Sequence, residues 1–273
     1  IDNISKKALF NNIVYGVSRA QLLDGTVEPP LGIVIEKDEK KAIELYEQVV
    51  KDVDNYVQFF SRYDSAAYYA LFQKSFILDT KLSKKRGALE GYLDIAKNFA
   101  WDYYRRPATI NAYIIATEIA REQKLAQFTP GIDTVSKFSG TPDSLKPDEQ
   151  KYIDVLETLV RLFPHDSLAV PSLEVLSTIY LAKGYTKEYK EINSRLLQYY
   201  PIQNIDPGVL VSLADFALFE EKDYVKSEQL AKAIYYGPSQ PNDPKDQKRR
   251  EFAYKRIGES ISQQAEYYRK KKT

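Results

Sequence analysis

The sequence predicts an all-α fold: a right-handed superhelix, or solenoid, of about five antiparallel helical hairpins followed by a long C-terminal capping helix. Three observations predict it. The runs Leu159-Val-Arg-Leu-Phe-Pro164, Leu196-Leu-Gln-Tyr-Tyr-Pro201 and Ala233-Ile-Tyr-Tyr-Gly-Pro238 each close an apolar segment with proline, and the prolines stand 37 residues apart both times. A fixed period of that size marks stacked helical pairs. Within the middle unit, Leu173, Leu176, Ile179 and Tyr180 share one helical face, Lys183-Gly184 interrupts it, and Tyr189, Ile192, Leu196 and Tyr199 resume it, which reads as helix, tight turn, helix. The composition agrees, since 44% hydrophobic and 28% charged residues with only 11 Gly suit a folded helical protein and are too apolar for disorder.

The whole chain, 1–273, reads as one array. It begins with a helical pair in 1–58. Repeats follow over 64–238 with an insertion at 125–145, and the cap occupies 245–271. Ile4, Ala8, Leu9, Ile13, Val17, Ala20 and Leu23 stripe the first helix, which Asp24-Gly25 ends. A linker holding Pro29-Pro30 precedes a second helix from near Asp38, with Ala42, Leu45, Tyr46, Val49, Val50 and Val53 turned inward. Asp64-Ser65 offers an N-cap to a helix through Ala67, Leu71, Phe72 and Phe76. The next helix runs from about Ser83 through Ala88, Tyr92 and Phe99 toward Tyr104. Arg106-Pro107 places proline at the start of a helix that ends near Lys124.

Leu125 to Leu145 shows no sustained period and contains Pro130-Gly131 and Thr141-Pro142. Loops of that length are either functional or surface excursions. Helical pairs resume at Pro147. Leu173, Leu176, Ile179, Leu196 and Leu197 are expected to share a core between hairpins, because both helices of their unit turn them inward. The last helix, from about Lys245 to Lys271, is polar on its outer face, as a terminal cap must be.

Composition also excludes chemistry. With no Cys and a single His, thiol catalysis, disulfides, thiolate metal sites and His clusters cannot be built. No Gly-rich phosphate loop or nucleophile elbow occurs, so no cofactor, no metal and no catalytic residue is expected. The acidic groups Glu36/Asp38/Glu39 and Glu220/Glu221/Asp223 fall at helix ends, where solvated charge is the ordinary role. His165 reads as a loop residue beside Pro164. From Lys245 to Thr273 ten Lys/Arg face four Asp/Glu, a local +6 that leaves about −5 for the rest of a chain whose net charge is +1. That near balance argues against nucleic-acid binding. Adjacent tyrosines recur at 68/69, 103/104, 199/200, 235/236 and 267/268, and a phenol's flat face and polar tip serve either wide helix contacts or a binding wall.

Residues 170–201 resemble a tetratricopeptide repeat. Counting Pro201 as the closing proline, Leu173, Leu176 and Tyr180 fall where that family's first helix carries large residues, Gly184 sits at the turn, and Leu196 lies in the second helix's seam. The match covers about 38–238 and is strongest over 147–238. Tyr189 and Tyr152 replace a small residue, Leu196 and Leu159 replace alanine, and the 37-residue spacing is longer than the family's. Larger residues at the contacts should push the helices apart. The phrases Leu162-Phe-Pro-His-Asp-Ser167 and Tyr199-Tyr-Pro resemble junctions of bacterial cell-envelope repeat proteins, including outer-membrane assembly lipoproteins.

The resemblance implies a non-enzymatic scaffold or adaptor that holds a protein or peptide partner in a groove lined by first helices. It places that groove on Glu174, Thr178, Leu181 and Ala182, and, one period on, on Val211, Asp215, Leu218 and Phe219. Glu174 and Asp215 are expected on the surface, ready to pair with a basic residue of the partner. The alternative is a small-ligand or glycan receptor of the envelope that uses groove tyrosines. The implied location is the bacterial periplasm or cell envelope, with the cytoplasm as the alternative. Because position 1 is not Met, an initiator and a targeting segment are expected upstream of Ile1, and peripheral membrane attachment would come through that segment.

Overall fold

The computed structural model describes residues 3–60, 65–99, 102–125, 142–238 and 244–272. Within them lie eleven α-helices, one 3₁₀ turn and one π-helical segment, and no strand. The fold is all-α. The chain divides into two compact units, Ile1–Ile119 and Ala120–Thr273.

In the first unit, α1 (Asn3–Leu23) packs on α2 (Glu39–Phe59), α2 on α3 (Ser65–Thr80), and α3 on α4 (Lys85–Asn98). Ile13, Val17 and Ala20 of α1 meet Ala42, Tyr46, Val49 and Val53 of α2 in one buried cluster. Both sets repeat every three or four residues, so the helices bury the stripes that their sequences carry. Asp38 caps α2 by accepting from Lys41 N–H at 3.0 Å, which accounts for one acidic group as a capping device.

The helix α3 departs from expectation. Phe76, one of the apolar residues that mark this helix in the sequence, is exposed, whereas Tyr68, Ile77 and Leu78 are buried. A helix wedged between two neighbours buries more than one stripe, and its sequence then loses the one-sided pattern. Pro107 also departs, because α5 (Asp102–Glu122) starts a turn before it and holds the proline inside. Contacts anchor that extra turn: Arg105 Nε donates to Ala96 O at 3.0 Å, and the Tyr104 ring meets that of Phe72 at a tilt, with ring centres 5.8 Å apart. They offset the backbone hydrogen bond that a proline cannot make.

Asp24, just past α1, ties three segments together. Its carboxylate accepts from Tyr46 Oη of α2 at 2.8 Å and from Lys81 Nζ, past the end of α3, at 2.8 Å. It also accepts from Thr26 N–H at 2.8 Å. Burial alone would push this carboxyl up, but the hydrogen bonds from Lys81, Thr26 and Tyr46 outweigh it and hold the pKa at about 2.

The second unit takes α6 (Pro147–Leu162), α7 (Ala169–Lys183), α8 (Thr186–Tyr199), α9 (Pro207–Phe216), α10 (Tyr224–Tyr236) and α11 (Pro244–Lys272). Packing follows chain order: α6 on α7, α7 on α8, α9 on α10 and α10 on α11, with α11 also reaching α9. Leu173, Leu176, Ile179 and Leu196 are buried, while Leu197 is half-buried. Gly184 ends α7 in the left-handed conformation at φ 76°, where a β-carbon would be strained. In the next hairpin Lys222 takes that conformation at φ 53°, after a π-helical turn over Ala217–Glu221.

Buried polar contacts tie the helices within and between pairs. Ser177 Oγ donates to Asn193 Oδ1 at 2.9 Å between α7 and α8. Ser227 Oγ donates to Ala214 O at 2.9 Å, and Ser260 Oγ of α11 donates to Ser227 Oγ at 3.1 Å. Each satisfies groups whose burial would otherwise cost stability. Residues 126–141, most of the expected insertion at 125–145, and Trp101 lie outside the described residues.

Candidate partner-binding site

The groove residues implied by the sequence do not form one open strip. Leu181 and Val211 are core residues at 2% and 5% exposure. Glu174 and Thr178 are half-buried on α7, and Glu174 Oε1 accepts from the Asp206 N–H at 2.5 Å. Burial pushes the Glu174 carboxyl up, the Asp206 N–H opposes that shift, and the Asp206 charge reinforces it.

Asp215, expected on the surface, is fully buried. The reason is α11, whose Arg256 Nε donates to Asp215 Oδ1 at 2.5 Å. The same guanidinium pairs with Glu259 and lies 4.9 Å from the ring centre of Phe219 and 4.7 Å from that of Phe252, so one cation serves two carboxylates and two aromatic faces. Burial pushes the Asp215 carboxyl up against the pull of Arg256, and its Oδ2 has no hydrogen-bond partner among the described residues. Phe219 keeps an exposed edge, at 42%. In the last pair, the expected groove wall is the seat of the C-terminal helix.

The acidic groups at helix ends act locally. Asp223 caps α10 by accepting from Lys226 N–H at 3.0 Å, and Glu221 pairs with Lys226 Nζ at 2.9 Å.

The second unit opens instead at its proline junctions. A pocket of about 410 Å³ is lined by Val160 and Arg161 of α6, Pro164 and His165 of the junction, Leu173 of α7, and Arg195, Tyr199 and Tyr200 at the end of α8. Tyr200 Oη donates to Pro164 O at 2.5 Å, which fixes the ring as one wall. Burial pushes the Tyr200 phenol up while the charge of the Arg195 guanidinium pulls it back. Arg161 and His165 are exposed and Arg195 is half-buried. Neither arginine forms an ion pair with a carboxylate among the described residues.

A second pocket, of about 280 Å³, lies around the next junction. Its lining includes Ile202, Leu210, Tyr236 and Gly237, which stand 37 positions after His165, Leu173, Tyr199 and Tyr200 of the first. The two pockets are therefore the same place in successive units. In the sequence His165 reads as a loop residue, and Arg161 and Arg195 carry no motif that marks them. Applying the proline period to the junctions, and not only to helix faces, would have found them.

In the first unit a pocket of about 610 Å³ is bordered by Asp54, Lys74, Glu90 and Asp94, with Gly87 and Gly91 of α4 on its lining. A β-carbon at Gly91 would collide with the Ser75 hydroxyl, which explains glycine there. Lys74 pairs with Asp54, so part of the wall is neutralised.

Among the described residues no group of three or more His, Asp and Glu is placed to hold a metal ion. No helix among them is long and apolar enough to cross a membrane. No protein-family model, curated protein or solved structure matches this chain.

Proposed function

We propose that this chain is a non-enzymatic, tetratricopeptide-like scaffold or adaptor of the bacterial cell envelope, a solenoid of helical pairs that binds a protein or peptide partner within a larger assembly. The observation that carries this reading is the match of burial across the 37-residue spacing. Leu173 and Leu210, Leu176 and Leu213, Ile179 and Phe216, and Leu181 and Leu218 are buried in both first helices. Tyr152 and Tyr189, and Leu159 and Leu196, are buried in both second helices. Units that bury the same positions present the same outer positions, and repetition of a surface suits an extended partner. Tyr199 and Tyr236, one spacing apart, are exposed at 66% and 75%, and exposed aromatics are the side chains that interfaces favour.

The test is in-cell cross-linking of the tagged chain, followed by size exclusion and identification of what is retained. A protein partner at fixed stoichiometry is expected. A chain that runs alone from every fraction would defeat the proposal. Glycan binding is a second reading, favoured by the tyrosine and arginine walls of the first junction pocket. Saccharide-dependent quenching of tyrosine emission would support that reading and count against the first.

A further inference from the structure

We infer that the two junction pockets of the second unit form one tandem site for an extended peptide, with an acidic side chain seated in the first pocket and an apolar one in the second. The inference rests on the scaffold reading and specifies its partner. Equivalence comes first: the pockets share four lining positions at a constant offset, so their frames are alike and only their chemistry differs.

In the first, Arg161 and Arg195 supply positive charge, and they and the His165 imidazole offer hydrogen-bonding groups beside two phenol rings. In the second, the position of His165 is taken by Ile202, and Ile205, Pro207 and Ile234 make the lining apolar. The one charged residue there, Asp246, is paired with Arg250 at 3.0 Å. The first pocket therefore complements a carboxylate and the second a Leu-like or Phe-like side chain.

The pockets are also neighbours. Tyr200 lines one and Ile202 the other, with only Pro201 between them, and two residues span at most about 7 Å. An extended peptide places side chains i and i+2 on one face at about the same separation. One wall of each pocket is thus within a strand's reach of the other, and the spacer variants below set how far apart the two anchors stand. A single-pocket ligand would use only half of this arrangement, and linking the two anchors raises affinity without any new contact.

The experiment is fluorescence anisotropy of the whole chain with the labelled peptide Gly-Ser-Glu-Ser-Leu-Ser-Gly, its Glu-to-Gln and Leu-to-Ser counterparts, and spacer variants. The parent peptide should bind at least about tenfold more tightly than either counterpart. The pair Arg161→Ala with Arg195→Ala should weaken it about tenfold and remove most of its salt dependence. Ile202→Ser should weaken it about fivefold and leave the salt dependence in place. Thermal melts establish that the variants are folded. If the double variant melts early, Arg161→Ala, exposed at the end of α6, carries the test alone.

Absence of parent-peptide binding, or equal binding by a folded arginine variant, would overturn the inference. Displacement of the peptide by oligogalacturonate at lower concentration than by unlabelled peptide would reassign the pockets to an acidic glycan. Cross-linking separates the two levels of argument. A partner retained unchanged by the arginine variant overturns the tandem site and leaves the scaffold standing, whereas no partner on the wild-type chain defeats both.

Discussion

Two carboxylates show how differently one residue type is used in this chain. Asp24 is held at about 2, below its ordinary 3.8, by partners that favour its charged form. Its stabilising effect is therefore complete above the ordinary value and is lost as pH falls from 3.8 through about 2. Asp24→Asn should cost about 2 kcal/mol at neutral pH, and urea melts should show the difference from wild type shrinking across that acid window. Asp215 is the reverse, a carboxyl raised by burial. Arg256→Ala strands it and should cost about 3–5 kcal/mol, whereas replacing both partners with Leu and Met should restore much of that loss. Equal stability of Arg256→Ala and wild type would contradict the pairing. The sequence could not disclose this pair, because its partners lie 41 residues apart and the 37-residue spacing copies a helix register without showing what packs above it.

Among the elements, legibility followed the number of neighbours. The helices α2, α4, α6 and α8 each bury a repeating stripe, but α4 ends at Asn98 and does not run on toward Tyr104, which belongs to α5. Exposure of Phe76 on α3 and inclusion of Pro107 within α5 could not be read, since tertiary contacts decide both. The turns were legible where glycine marks them. Gly184→Ala should cost about 1–2 kcal/mol, as alanine resists the left-handed region. At the matching turn, Lys222→Gly should gain about 0.5 kcal/mol, because relief of strain there exceeds glycine's entropic cost. Chemical denaturation of the two single variants checks the opposite signs.

At the scale of the molecule, each compact unit has its own buried core, which predicts independent folding. Fragments 3–125 and 142–272 should each keep helical circular dichroism and melt cooperatively. A fragment that is unfolded by itself would show that its core is insufficient. The buried tyrosines carry a further consequence. Burial, reinforced by the charge of Asp79 against a hydrogen bond from Asn111, pushes the Tyr92 phenol up to about 12. Burial, with hydrogen bonding to Asp24, pushes Tyr46 higher, and burial with nearby carboxylates does the same for Tyr180 and Tyr189. A phenol whose pKa is raised by folding stabilises the fold below its unfolded value of 10.0, and that stabilisation is lost as pH climbs through the folded value. In alkaline solution the late part of the phenolate absorbance should therefore rise together with the loss of helical ellipticity, so that these rings serve as the protein's own optical indicator of when its core admits water.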